Sequence, residues 1–350
     1  MNLSIMLPLR NQPGLTGLLS RLYDPSSPDY HHFLSVAQFT EQFGPTAGDY
    51  QAVVDFAQAN GFTVSNRSAN RLILPITGTV MQVENALHVR MNNYRHPTES
   101  RTFYSPDREP SLDLAVPVAH IAGLNNYSIP RPLVKKALAG QAPVNASVTG
   151  SGPGGSYLAS DMRAAYYTST VPTASTALTG SGQTVGLVEF DGYDISDVTS
   201  SFDGTATSTT SGSNYILAYT PPPGGTTYSI PINNVLLDDA STAACQQTTS
   251  ACDDSEEALD IVQAIGMAPG LSQVRLYIGF SDVDILNSMA TENIAKQISI
   301  SWGWSPDDPS TDDALFQELA HKGRAFSPRP GMTELSILLR MCSIRRKTLG

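Results

Sequence analysis

Glu256 and Asp260 stand four residues apart in the stretch Asp253-Asp254-Ser255-Glu256-Glu257-Ala258-Leu259-Asp260-Ile261-Val262-Gln263-Ala264-Ile265. On a helix that spacing places both carboxylates on one face, with Cβ atoms about 5–6 Å apart. Two acids so close do not ionise together easily, so one keeps its proton to higher pH and the pair can relay a proton in acid. The plainer account is a solvated first turn whose acids favour the helix dipole. Asp253 and Glu257 form a second pair of the same spacing, rotated around the helix. Leu259, Ile261, Val262 and Ile265 supply an apolar side, and Gly266-Met267-Ala268-Pro269-Gly270 is the stop signal.

A helix can hold such a pair only if a larger framework positions it. At 350 residues the chain has length for two domains. No run of 18 apolar residues occurs, so no membrane-spanning segment is expected, and the opening Met1 to Arg10 does not read as a signal peptide. Net charge is −11, unevenly spread: residues 151–320 hold only Arg163, Arg275 and Lys296 against 21 acidic residues. So few cations argue against nucleic acid as a partner and fit a domain adapted to acid. Cys245 and Cys252 flank a short polar loop and could close a disulfide ring or stay as free thiols; no further Cys or His stands at zinc-ligand spacing.

Residues 1–130 alternate strand and helix signals in the order β-α-β-β-α-β, which points to a ferredoxin-like α+β unit. Residues 131–155 read as a linker rich in Pro, Ala, Gly and Ser. Residues 156–326 read as an α/β domain. Thr184 to Phe190 is a buried parallel strand, 199–229 is a Ser/Thr/Gly/Pro-rich surface loop, and further strands start at Gln273 and Gln297. Helices over Asp282 to Asn293 and Asp312 to Lys322 complete a subtilisin-like parallel-sheet pattern, incomplete at its end.

Several phrases carry a family resemblance. Leu22-Tyr23-Asp24-Pro25-Ser26-Ser27-Pro28-Asp29-Tyr30-His31-His32-Phe33-Leu34, Gln38 to Pro45, Asn70-Arg71-Leu72-Ile73-Leu74, Tyr104-Ser105-Pro106-Asp107 and Pro117 to Asn125 resemble the activation prodomain of sedolisins, the kumamolisin-like serine-carboxyl peptidases. Ser160 to Tyr167, Ala268-Pro269-Gly270 and Ile298-Ser299-Ile300-Ser301-Trp302-Gly303 resemble parts of their catalytic domain. The resemblance implies an extracellular zymogen of a serine-type endopeptidase acting on peptides or proteins in acid, with its prodomain contacting its catalytic domain. It implies that Glu256 is the general base, that Asp260 orients it, and that Glu189 and Trp302 extend the carboxylate network. Ser301, Trp302 and Gly303 would line the substrate strand.

The pattern then stops. No Gly-Thr-Ser with its nucleophile and no Gly-Asp-Ser-Gly with its oxyanion aspartate occurs in these residues. The family's calcium loop is also without a counterpart, so no cofactor is expected in this chain. Residues 327–350 reverse the charge balance and read as an unrelated basic tail, with truncation or a frameshift as the expectation and a basic amphipathic segment as the alternative. Little peptidase activity is expected of such a chain; binding to an intact relative is the alternative function. A two-carboxylate glycosidase fits less well, because its acids usually flank the substrate from different elements about 5–9.5 Å apart.

Overall fold

The structure, a computed structural model, describes residues 1–132, 150–152, 155, 157–167, 178–222, 224–246, 253–304 and 309–327. Most of the expected linker, the basic tail, Cys252 and Cys342 therefore lie outside the described residues. The described residues form two compact units, one drawn from 1–130, 281–293 and 304–327 and the other from 131–280 and 294–303.

In chain order the first unit contains β1 (Asn2–Met6), α1 (Gln12–Leu22), α2 (Val36–Gln42), α3 (Ala47–Ala59), β2 (Thr63–Val64), β3 (Ile73–Thr77), α4 (Val80–Leu87), β4 (Met91–Arg95), β5 (Thr102–Pro106) and β6 (His120–Ala122). Four of these strands form a sheet in the order β2-β3-β1-β6 with every neighbour antiparallel, and β4 and β5 make a separate hairpin. The helix starts are written locally. Ser35 with Gln38 and Thr79 with Gln82 form capping boxes at α2 and α4, and Thr46 caps α3 through the Asp49 amide. Leu3, Ile5 and Leu7 bury against Val53, Val54 and Phe56 of α3 and Val83 and Leu87 of α4. Each such side chain contributes about 1.5–3 kcal/mol when fully buried.

The second unit contains β7 (Arg131–Pro132), α5 (Ala159–Tyr167), β8 (Thr184–Glu189), α6 (Ile195–Ser200), β9 (Thr205–Ser211), β10 (Asn214–Thr220), β11 (Tyr228–Leu236), α7 (Ser255–Met267) and β12 (Gln273–Ile278). The chain then gives α8 (Asp282–Glu292) to the first unit, β13 (Gln297–Ile300) and β14 (Trp302–Gly303) to the second, and α9 (Pro309–His321) to the first. In the second unit the strand order is β13-β8-β12-β11-β10-β9. The first four are parallel, while β10 and β9 join antiparallel, so the sheet is mixed.

Two sequence expectations fail here. The stretch 199–229 is not a surface loop; it holds β9, β10 and the start of β11. Alternation decides it, because Leu217 and Tyr219 are buried while Ile216 is exposed, the period of a half-covered strand. Leu259 does not belong to the apolar side of α7, being 39% exposed; Ala258, Ile261, Val262 and Ile265 face the core instead. Gly266 allows close packing of α7 on α5, since a Cβ there would lie 2.5 Å from Ala159 Cβ.

Candidate active site

Parallel pairing brings the chemistry together within the second unit. In the ladder between β8 and β13, Val188 lies opposite Ile300, so the residues just beyond meet at the C-terminal ends of the strands. That is where open α/β sheets hold their ligands. Trp302 there donates its indole N–H to Glu189 Oε2 at 2.9 Å and packs edge-on against Phe190, with ring centroids 5.5 Å apart. Both Trp302 and Glu189 are buried, and among the described residues Glu189 Oε1 has no hydrogen-bond donor.

Helix α7 supplies the remaining acids. Glu256 and Glu257 occupy its first turn, where the helix dipole favours anions. Both are nonetheless buried, at 3% and 1% exposure. Asp260, one turn on and half-buried, accepts a hydrogen bond from the Ser301 hydroxyl at 2.6 Å. Burial pushes the Asp260 carboxyl up to about 6; the Ser301 hydrogen bond pulls it down and the Glu256 charge raises it. Glu189 is held well above the ordinary carboxylate range, first by burial, then by the charges of Asp260 and Glu257; the Trp302 hydrogen bond opposes the rise.

Of the residues singled out in the sequence, the structure therefore places Glu189 with Trp302 and Ser301 with Asp260 in two direct hydrogen bonds. Glu256 is joined to them as a charge acting on both Asp260 and Glu189. Gly303 has a separate setting: Trp302 and Gly303 pair antiparallel with Pro132 and Arg131. A segment of the expected linker thus lies along that strand.

Glu257 is the acid whose placement sequence reasoning missed. Its spacing from Asp253 reads as a second pair rotated around the helix, but Asp253 is exposed and Glu257 is buried, its Oε2 without a donor among the described residues. Burial, followed by the charges of Asp191, Asp254 and Glu256, pushes Glu257 up to about 8, against the pull of its own backbone amide. Asp191, also buried, is held by the amides of Gly192 and Gln246 at 2.8 and 2.7 Å. The only advance signal was position, since Asp191 follows the buried strand and Glu257 adjoins Glu256. Among the described residues no three His, Cys, Asp or Glu side chains converge as metal ligands.

Comparison with known proteins gives this geometry a context. Residues 1–127 match the family described as Pro-kumamolisin, activation domain. Xanthomonalisin of Xanthomonas sp. (strain T-22) is 27% identical over 95% of this chain and 39% of its own length. Residues 1–127 thus resemble an activation domain of the kumamolisin kind, and nearly the whole chain is similar to xanthomonalisin. Sedolisin of Pseudomonas sp. (strain 101) is 25% identical over 93% of this chain and 53% of its own length. The chain thus spans two-fifths to about half the length of these curated relatives. A solved structure of Pseudomonas sedolisin (serine-carboxyl proteinase), complexed with two molecules of pseudo-iodotyrostatin, has a TM-score of 0.29 at 22% identity, covering 44% of this chain and 40% of that one.

Proposed function

We propose that the chain is the prodomain and the acid/base half of a serine-carboxyl endopeptidase zymogen that works in acid. The observation carrying this reading is the Ser301–Asp260 hydrogen bond on the helix that presents buried Glu256, beside the Trp302–Glu189 pair. In it Glu256 is the general base toward a serine hydroxyl, and Asp260 orients it and shares its proton. Glu189, anchored by Trp302, keeps a further proton close by. A carboxylate base is deprotonated at low pH, where an imidazole would already be charged. The backbone at Ser301, Trp302 and Gly303 would take an extended peptide or protein substrate, a use supported by the antiparallel lie of Arg131–Pro132 along it.

The strand order β2-β3-β1-β6 supports a ferredoxin-like fold for the prodomain, and the parallel run β13-β8-β12-β11 supports a subtilisin-like catalytic part. Cys245 is disulfide-bonded, which supports an oxidising, extracellular setting. Calcium, by this reading, binds outside these 350 residues. Nucleic acid is not a partner, and among the described residues no helix is long and apolar enough to cross a membrane.

Because no Gly-Thr-Ser occurs in the sequence, the polypeptide of these residues should have little or no peptidase activity alone. The test is peptide hydrolysis at pH 3–5 by the purified chain, and by the chain fused to the Gly-Thr-Ser-bearing segment of a sedolisin-family relative. Turnover is expected only in the fusion, and Glu256→Gln should abolish it. Fusion activity indifferent to Glu256→Gln would end the role of Glu256, and turnover by the chain alone would end the claim of inactivity. A second reading, that the chain binds an intact relative through its prodomain, is favoured by the contacts that residues 1–130 make with α8 and α9. Tyr23 Oη donates to the Ala320 carbonyl at 2.8 Å, and Ser4 Oγ donates to Asp284 at 2.6 Å.

A further inference from the structure

The first unit buries a continuous polar chain where the segment before β3 meets α8 and α9. Asn70, with no exposed surface, donates from Nδ2 to Asn287 Oδ1 at 2.8 Å and to Glu318 Oε2 at 2.7 Å. Its Oδ1 accepts from the Leu72 amide at 3.1 Å. Asn287 in turn donates to Ser68 Oγ at 2.9 Å, and the Ser68 amide donates to the Tyr50 hydroxyl at 2.9 Å. At the other end Glu318 accepts from Lys322, whose ammonium also donates to the Ala290 carbonyl at 2.8 Å and lies 5.5 Å from the Phe39 ring centroid. The side chains of Glu318 and Lys322 are wholly buried.

Adhesion alone does not require this arrangement. Apolar side chains of similar volume usually hold two surfaces as well as a buried ion pair does, because the ions lose their hydration. A saturated polar network adds discrimination. Any partner lacking one of its groups leaves a buried donor, acceptor or charge unmet, and that penalty falls only on the wrong partner. Asn70 is the joint of the network, because its two amide protons reach α8 and α9 at once.

We infer that Asn70 is a specificity-determining residue of the prodomain. It selects a helix pair presenting an Asn carboxamide on one helix and a Glu-x-x-x-Lys pair on the other, the pattern of Asn287, Glu318 and Lys322. The partner that fits is this chain's own helix pair, α8 and α9. The inference deepens the binding reading above and rests on it; it is independent of Glu256 and of peptidase activity.

The test is a donor–acceptor swap in the full chain, read by hydrogen–deuterium exchange in peptides spanning Ser68 to Leu74 and Asp284 to Thr291. Asn70→Asp removes both donors and sets a carboxylate against Glu318, so protection should fall at least a hundredfold. Adding Glu318→Gln returns a donor to the contact and should recover at least tenfold, whereas Glu318→Gln should not rescue Asn70→Leu. If Asn70→Asp alone does not fold, recovery of folding by Glu318→Gln is the same positive result. Loss in the double variant equal to the product of the single losses, or a double variant that also fails to fold, overturns the inference. Peptidase assays on the fusion test the other reading separately, so either can fail alone.

Discussion

The acids of the second unit should make it lose stability as pH rises from about 4 to about 8, and Glu257→Gln should remove much of that loss. Glu257 is 1% exposed and carries an oxygen without a donor among the described residues, so its charged form is the costly one. Burial and the neighbouring acids lift it from 4.5 to about 8 in the folded chain. The folded state then holds a proton that the unfolded chain releases, so stability falls with pH. The contribution is fully present below the unfolded value, near 4.5, and is lost as pH rises through the folded value. At ~1.4 kcal/mol per pH interval of one, the difference amounts to roughly 5 kcal/mol for the group alone. Asp260, lifted from 3.8 to about 6, would lose about 3 kcal/mol over a lower range. The two belong to one set of interacting carboxyls and do not add simply. The larger single figure, roughly 5 kcal/mol, is the expectation for the set, a large share of a typical folding free energy. Urea unfolding at intervals between pH 4 and 8 measures it. Glu257→Gln should match the parent chain near pH 4 and exceed it near pH 8. A parent as stable at pH 8 as at pH 4, or a variant with the parent's slope, refutes the reasoning.

Other perturbations probe single contacts. Ser301→Ala removes the hydrogen bond that holds Asp260 down, so the Asp260 carboxyl should titrate above its present value of about 6, as followed by carbon-13 NMR of the side chain. Lys322→Met leaves buried Glu318 without its cation and should cost about 3–5 kcal/mol in urea unfolding. Adding Glu318→Gln to it removes the stranded charge while keeping an acceptor for Asn70 and should restore much of that loss, and equal instability of both variants would contradict the account. Gly266→Ala pushes a methyl against Ala159 Cβ, 2.5 Å away, and should lower stability by about 1–3 kcal/mol without altering the titration of Asp260.

What could be read in advance follows from the range of the forces involved. Capping residues and helical period are local, so Ser35, Thr46 and Thr79 announce their helices within three residues. The spacing of Glu256 and Asp260 is local too, and it was enough to set both on one face of α7. Which acid is buried is not local. Glu257 lies about a quarter-turn from Glu256, and only the end of β8, with Glu189 and Asp191, decides that its side is covered as well. The strands β9 and β10 were hidden for a related reason. Ser and Thr compose both polar loops and strand faces open to water, and pairing with the Tyr215, Leu217 and Tyr219 strand selects the second. The segments α8 and α9 show the limit most clearly. By sequence they continue the catalytic α/β pattern, yet they form one compact unit with residues 1–130. Asn70 and Asn287, 217 positions apart, meet through a polar pairing that no periodicity encodes.

The chemistry and the stability of the second unit come from the same burial. The base proposed above for work in acid would need neighbours that stay protonated, and Glu189, Glu257 and Asp260 are all lifted by burial. In acid those protons neutralise the cluster, and the unit folds around uncharged groups. Near neutrality the same groups must ionise inside the protein or open it to water. A lysine placed beside Glu257 would relieve that strain at pH 7, but it would also draw the proton from Glu189 and remove the reserve beside Glu256. The scarcity of cations between residues 151 and 320 is therefore consistent with a site kept protonated at the expense of stability near neutrality.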